Sequence, residues 1–308
     1  MTNWTTENIP SQKGRSAVVT GTGGVGFEDA LALARAGGDV VIAGRNSRKG
    51  AEAVAKIRDE VPSATVRFEK IDLASLQSVE DFARRLHSQR DSLDLLINNA
   101  GVMTPPNRLE TTDGFELQFG VNYLGHFALT AQLIPLLCKG KDARVVTLSS
   151  IAARNGTINF DDLQAHSYNP MAAYSQSKLA CLMFAFELQR RSEAGQWGIA
   201  SFAAHPGIAR TNLLYNSPGG WSARMRTLLW FLFQPVPQGA LPTLFAATSP
   251  DAQSGAYYGP HKLSETRGFP ALSKVPSQAT DTDVAVRLWD VSEKLTQINF
   301  EYSSQVGI

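Results

Sequence analysis

Short, mostly apolar, β-branched runs recur along the chain at 17–19, 39–43, 64–68, 93–97 and 144–148. Between them, apolar positions fall at helical spacing over 28–36, 47–60, 75–90 and 115–139. Four of the five runs are apolar without alternation, as expected of strands covered by helices on both faces rather than of a half-wetted sheet. A further helix is expected over 172–191 and a sixth strand over 199–204. Strand–helix–strand repetition makes right-handed crossovers, so the expected class is α/β with a doubly wound parallel sheet. The rhythm breaks over 211–237, where Gly, Pro, Trp and Phe crowd together just after a predicted strand, the position at which such sheets bind ligands. No linker or composition shift divides the chain. It reads as a single domain spanning 1–308, with a substrate-binding lobe over about 211–237.

Composition narrows the function classes. The 29 basic and 28 acidic side chains leave a net charge of +1, which removes the electrostatic case for nucleic acid or an anionic membrane as the main partner. Two cysteines, Cys138 and Cys181, cannot build a disulfide framework and point to a reducing compartment. The N-terminus has neither a basic nor an apolar leader segment. The longest apolar run, 228–233, is far short of the roughly 18 residues a spanning helix needs, so a cytoplasmic protein with no membrane span is expected. The five histidines are scattered, with no HExxH and no cysteine pairs, so no metal site is expected, and His126 reads as packed.

The first candidate chemistry lies at Thr20-Gly21-Thr22-Gly23-Gly24-Val25-Gly26, between the first strand and the first helix. Gly21, Gly23 and Gly26 satisfy GxGxxG in the strand–turn–helix setting of a Rossmann-type dinucleotide site, with Gly24 inside the turn. Glycines let backbone N–H groups approach a pyrophosphate, and the helix N-terminus adds favourable partial charge. The second strand ends Gly44-Arg45-Asn46, without the acid that accepts hydrogen bonds from adenosine ribose hydroxyls. A guanidinium at Arg45 suits a 2′-phosphate, so NADP(H) is the expected cofactor, with NAD(H) the alternative.

Tyr174 and Lys178 lie four apart on a predicted helix and so share a face. Ser149-Ser150 ends the fifth strand, Asn98-Asn99-Ala100-Gly101 ends the fourth, and Asn122 sits in the helix between them. Together these residues resemble the short-chain dehydrogenase/reductase superfamily over nearly the whole chain. Val121-Asn122-Tyr123-Leu124-Gly125-His126-Phe127, His205-Pro206-Gly207 and Arg287-Leu288-Trp289-Asp290-Val291 look like its retinol-dehydrogenase-like branch. The resemblance implies a tetrad of Asn122, Ser150, Tyr174 and Lys178. It places Asp72 and Leu73 near the adenine, Asn99, Ala100 and Gly101 along the cofactor cleft, and Pro206, Gly207 and Thr211 at the nicotinamide end, with Tyr174 and Lys178 also touching the cofactor. The glycine turn departs from the family's TGxxxGxG by one residue fewer between the outer glycines. It also lacks the basic residue that many NADP-dependent relatives carry there, which leaves Arg45 to carry selectivity.

The chemistry of a carbonyl reductase or alcohol dehydrogenase fits those residue types. Ser150 can donate to a developing oxyanion, and Asn122 can hold a water for proton relay. Tyr174 can exchange the proton if its phenol, ordinarily near 10, is lowered by about three units, roughly 4 kcal/mol of differential stabilisation, which a neighbouring Lys178 ammonium favours. The expected substrate is a small lipophilic ketone, aldehyde or secondary alcohol, because the 211–237 lobe is rich in Leu, Trp and Phe and has few acids. The run at 230–233 is open to three readings: substrate pocket, local core, or membrane-surface or subunit contact. A homodimer or homotetramer is compatible with the sequence. The rival functions are a sugar-nucleotide epimerase and a non-catalytic cofactor sensor on the same fold.

Overall fold

The computed structural model describes residues 3–209 and 234–300. The expected lobe at 211–237 therefore lies largely outside the described residues, as do Thr211 and the 230–233 run. The elements alternate as the apolar pattern requires: β1 (Ser16–Thr20), α1 (Val25–Arg35), β2 (Asp39–Gly44), α2 (Ser47–Glu60), β3 (Val66–Lys70), α3 (Leu76–Gln89) and β4 (Leu95–Asn98). After β4 come α4 (Gly125–Leu137), β5 (Arg144–Leu148), α5 (Pro170–Gly195) and β6 (Ala200–Ala204). The chain then continues through α6 (Val236–Thr248), β7 (Tyr257–Lys262), β8 (Arg267–Leu272) and α7 (Thr282–Thr296). Among the described residues, eight strands form one sheet in the order β3-β2-β1-β4-β5-β6-β7-β8, parallel throughout except for β8, which runs antiparallel to β7. The order reverses between β1 and β4, and the loops at the carboxyl ends beside that switch point carry the candidate site.

Each crossover helix buries the stripe its spacing predicts. On α3, Val79, Phe82, Ala83 and Leu86 are buried, and on α2, Gly50, Ala53 and Ile57. Helix starts are fixed by side-chain caps: Asn46 accepts from Lys49 N–H, Ser75 from Ser78 N–H, Asp281 from Val284 N–H, and Asn169 from the Met171 and Ala172 N–H groups ahead of Pro170. One face of the sheet holds a core built around Phe127, Phe184, Trp289 and Phe300, with ring centroids 4.4–6.2 Å apart. The other face packs α1, α2 and α6 over Val19, Ile42, Ile97 and Val146. No helix among the described residues is long and apolar enough to cross a membrane.

The structure differs from the sequence reading in two regions. The helix expected over 115–139 opens as a π-turn at Phe119–Leu124 before α4 begins. Strands β7 and β8 were not expected, because each carries Gly and Pro in mid-strand. Pro260 and Pro270 face each other in the ladder. The parallel pairing of β7 to β6 stops at Tyr258, and β8 is the sheet edge, so neither missing N–H breaks a central bond.

Candidate active site at the carboxyl edge of the sheet

The glycine turn leaves β1 and enters α1 with positive φ at Gly21 (104°) and Gly24 (58°). A Cβ at Gly26 would sit 2.3 Å from Asn99 Nδ2 and 3.0 Å from the Gly21 carbonyl, so only glycine lets α1 approach the β4 loop. Gly23 has open space around it and an ordinary φ. The conformational demand in this shortened turn therefore falls on Gly21, Gly24 and Gly26, with Gly24 in the middle place the motif assigns to Gly23. No side chain caps α1, so its first N–H groups face the turn as free donors in a positive dipole end, the arrangement a pyrophosphate fits.

At the end of β2, Arg45 is exposed and makes no hydrogen bond or ion pair among the described residues, whereas Arg48 is held by Glu52 at 2.9 Å. Asp72 is half-buried; its Oδ1 accepts from the Ala74 N–H, while the Asp72 N–H donates to Ser78 Oγ. Leu73 is buried, and its carbonyl and Cβ lie 2.5 and 3.0 Å from where a Cβ would stand on Gly125.

Three motifs meet at Thr20, the last residue of β1. Its Oγ1 accepts from the Asn99 and Ala100 N–H groups at 2.9 and 3.0 Å, filling both lone pairs, and lies 2.9 Å from His126 Nε2. On the other side of the ring, His126 Nδ1 is 2.9 Å from the Asn122 carbonyl. The carbonyl must accept, so Nδ1 carries the proton and Nε2 is bare. Nε2 is the nearer of the two acceptors within reach of the Thr20 hydroxyl hydrogen, with the Ile97 carbonyl at 3.3 Å the other. Burial pushes this imidazole down to about 4, with Lys178 adding to the effect against the opposing Asn122 bond. His126 is fully buried, as read from the sequence, but it acts as a polar strut from the glycine turn to the π-turn.

The π-turn sets Asn122 against the end of β4. Asn122 Oδ1 accepts from the Val102 N–H at 2.8 Å, and Nδ2 donates to the Val102 carbonyl at 3.0 Å and to Ser177 Oγ at 2.9 Å. Cys181 donates its S–H to the Asn122 carbonyl at 3.1 Å. Helix α5 docks on the end of β5 through two bonds: Lys178 Nζ donates to the Leu148 carbonyl at 3.0 Å, and Ser149 Oγ donates to the Lys178 carbonyl at 2.7 Å. Nζ also lies 3.6 Å from the Cβ position of Gly101, which places the ammonium between the ends of β4 and β5. Ser150 caps the 3-10 turn Ile151–Asn155 by accepting from the Ala152 N–H at 3.2 Å, which leaves its own hydrogen to donate. Tyr174, one turn before Lys178, is 9% exposed, and its hydroxyl makes no hydrogen bond among the described residues.

The loop after β6 completes the edge. Gly207 has φ +63°, and a Cβ there would stand 2.3 Å from the Thr266 carbonyl, so the turn is pinned to the β7–β8 hairpin, with the Ile208 N–H also donating to Thr266. Tyr257 of β7 was not singled out by the sequence, yet its hydroxyl reaches the Ser150 carbonyl at 3.4 Å and burial pushes its phenol up. Its position inside an unrecognised strand left no signal to find it.

A family model described as short chain dehydrogenase matches residues 15–218. The polyprenol dehydrogenase of Mus musculus is 41% identical over 298 residues, covering 94% of this chain and 85% of that protein. Retinol dehydrogenase 13 of Mus musculus is 39% identical over 302 residues, covering 94% and 86%. A crystal structure of a protein from Mycobacterium paratuberculosis superposes with TM-score 0.81 at 38% identity, covering 98% of this chain and all of that one.

Proposed function

The chain belongs to the short chain dehydrogenase family of oxidoreductases, which bind NAD(P), and from that premise we propose that it is an NADP(H)-dependent enzyme acting on lipophilic alcohols, ketones or aldehydes. The observation that carries the reading is Lys178 Nζ held on the Leu148 carbonyl at the end of β5, beside the donor-ready Ser150 hydroxyl, with Tyr174 one turn before Lys178 on the same helix. Gly21, Gly24 and Gly26 with the uncapped start of α1 would hold the pyrophosphate, and Gly23 contributes an open backbone position beside it. Asp72 and Leu73 would border the adenine, Asn99, Ala100 and Gly101 the cleft, and Pro206 and Gly207 the nicotinamide end. The bound cofactor supplies or accepts the hydride.

Ser150 would donate to the carbonyl oxygen as charge develops there, and Tyr174 would give or take the proton at that oxygen. Lys178 donates to the Leu148 carbonyl with one N–H and would keep the others for the nicotinamide ribose. Asn122 anchors the group by holding Val102 and Ser177, which directly precedes Lys178. Polyprenol and retinol, the alcohols in the relatives' names, are largely apolar molecules ending in a hydroxyl, in keeping with the apolar composition of the 211–237 stretch. Initial rates across alcohols and carbonyls of increasing apolar size should give kcat/KM rising with size. A flat or falling trend, or better turnover of sugars, would overturn the substrate class.

NADP(H) preference rests on Arg45, the exposed basic group at the β2 end that has no protein partner among the described residues. A charge-assisted contact is worth roughly 1.5–3 kcal/mol, so Arg45→Asp should weaken NADPH binding at least about tenfold with a smaller effect on NADH. A parent protein that prefers NADH refutes the assignment.

A further inference from the structure

His205, the last residue before the Pro206-Gly207 turn, is 0% exposed and lies among polar partners that the reading above leaves without a role. The Gly207 N–H donates to its Nδ1 at 3.2 Å, and its Nε2 lies 3.1 Å from Glu265 Oε2 and 3.0 Å from Ser273 Oγ. A backbone N–H can only donate, so Nδ1 must be bare. The neutral ring therefore carries its proton on Nε2, aimed at the Glu265 carboxylate. An imidazolium, or the opposite tautomer, would leave the Gly207 N–H facing another N–H.

The surroundings hold that state in place. Glu265 Oε2 also pairs with Arg154 at 2.6 Å, and Oε1 accepts from the Lys274 N–H at 2.9 Å. Burial raises this carboxyl, but the bonds from His205 and Lys274 and the charge of Arg154 outweigh it and bring it down to about 2. Burial likewise pushes the His205 imidazole down against its Glu265 partner. The hairpin loop that delivers Glu265 runs through three consecutive left-handed residues, Leu263, Ser264 and Glu265 (φ 49°, 53° and 66°), a conformation that non-glycine residues keep only when surrounding contacts impose it. Space for the ring is reserved as well: a Cβ at Gly259 would stand 2.0 Å from Nε2, and the Tyr257 ring lies beside it at 5.2 Å between centroids. Arg154 sits in the 3-10 turn capped by Ser150, so one chain of contacts links the Ser150 segment to the Gly207 turn.

We propose that His205 is a positioning residue: Glu265 fixes its tautomer, and its bare Nδ1 holds the Gly207 N–H and so sets the turn that borders the nicotinamide. The inference rests on the proposed cofactor site, in which Pro206 and Gly207 meet the nicotinamide end.

Two substitutions separate the two ring nitrogens. In His205→Asn the side-chain oxygen stands where Nδ1 stood, so the Gly207 acceptor survives and the Glu265 link is lost. In His205→Gln the side-chain amide reaches the Nε2 position, so the Glu265 link survives and the acceptor is lost. Leaving the Gly207 N–H unpaired should weaken NADPH binding about tenfold in His205→Gln, measured by fluorescence titration of the binary complex, while His205→Asn stays within about threefold of the parent. Equal losses in both variants, or none in either, would overturn the proposal. Long-range 1H–15N spectra of the unmutated protein at neutral pH test the same point without depending on a variant's folding. They should show Nε2 protonated and Nδ1 bare, and an Nδ1–H tautomer or an imidazolium at His205 would refute it. A parent that binds neither nicotinamide cofactor would overturn the functional reading together with this inference, whereas a parent that binds NADPH with unsplit variants would remove the inference alone.

Discussion

Tyr174→Phe should leave the fold and NADPH affinity intact while lowering kcat by on the order of 10² or more. The substitution deletes one hydroxyl that makes no hydrogen bond among the described residues, so no buried partner is orphaned and no structural cost masks the chemistry. The ring stays packed, and the main-chain carbonyl of residue 174 still accepts from Ser177 Oγ at 2.8 Å, which keeps Ser177 under Asn122 Nδ2. Single-turnover rates and cofactor titrations of the same preparation should therefore part company: a slow proton step with unchanged binding. Activity within about threefold of the parent would remove Tyr174 from the role. A matched loss of NADPH affinity would instead assign its hydroxyl to holding the cofactor.

Much of this site was legible because its parts lie at strand ends, and strand ends are where an apolar run stops. Thr20, Asn98, Leu148 and Ala204 each close a run that the sequence marks plainly, and the residues that follow them carry the polar groups. The four-residue spacing of Tyr174 and Lys178 survives any error of a few residues in helix bounds, since α5 extends beyond both sides of the expected 172–191. What stayed hidden depends on backbone geometry that periodicity does not encode. A π-turn keeps the same apolar composition as a helix, so Phe119–Leu124 gave no sign of its geometry, although it is what directs Asn122 toward Val102. The shortened glycine turn fits a motif written by spacing, while φ angles place the middle demand on Gly24. Strands β7 and β8 tolerate proline because β8 is the sheet edge and β7 stops pairing with β6 before Pro260. With them went Tyr257 and Glu265, whose contacts with the Ser150 carbonyl and His205 arise only once the hairpin folds back.

Acid should unfold this protein through the neutral histidines of its polar struts. His126 is held at about 4 when folded, against an ordinary value of 6.5. A group whose folded value is depressed contributes its stability above the unfolded value and loses it as pH falls through the folded one. The window is therefore pH 6.5 down to 4, and the loss is about 3 kcal/mol for this fully buried ring. His205, also pushed down by burial, adds in the same direction. Asp29 works the other way: it is wholly buried in α1, neither oxygen has a partner among the described residues, and desolvation raises its carboxyl. Its contribution is complete below its ordinary value of 3.8 and declines as pH rises from there toward the raised value, which offsets part of the histidine effect at the acid end. His126→Asn separates them, because it removes one titration and leaves Asp29 untouched. Denaturant unfolding at pH 7 and pH 4.5 should show the parent losing more stability than the variant between the two, even though the variant starts lower for want of the Thr20 bond. Parallel losses in both proteins would mean that His126 does not carry the acid transition.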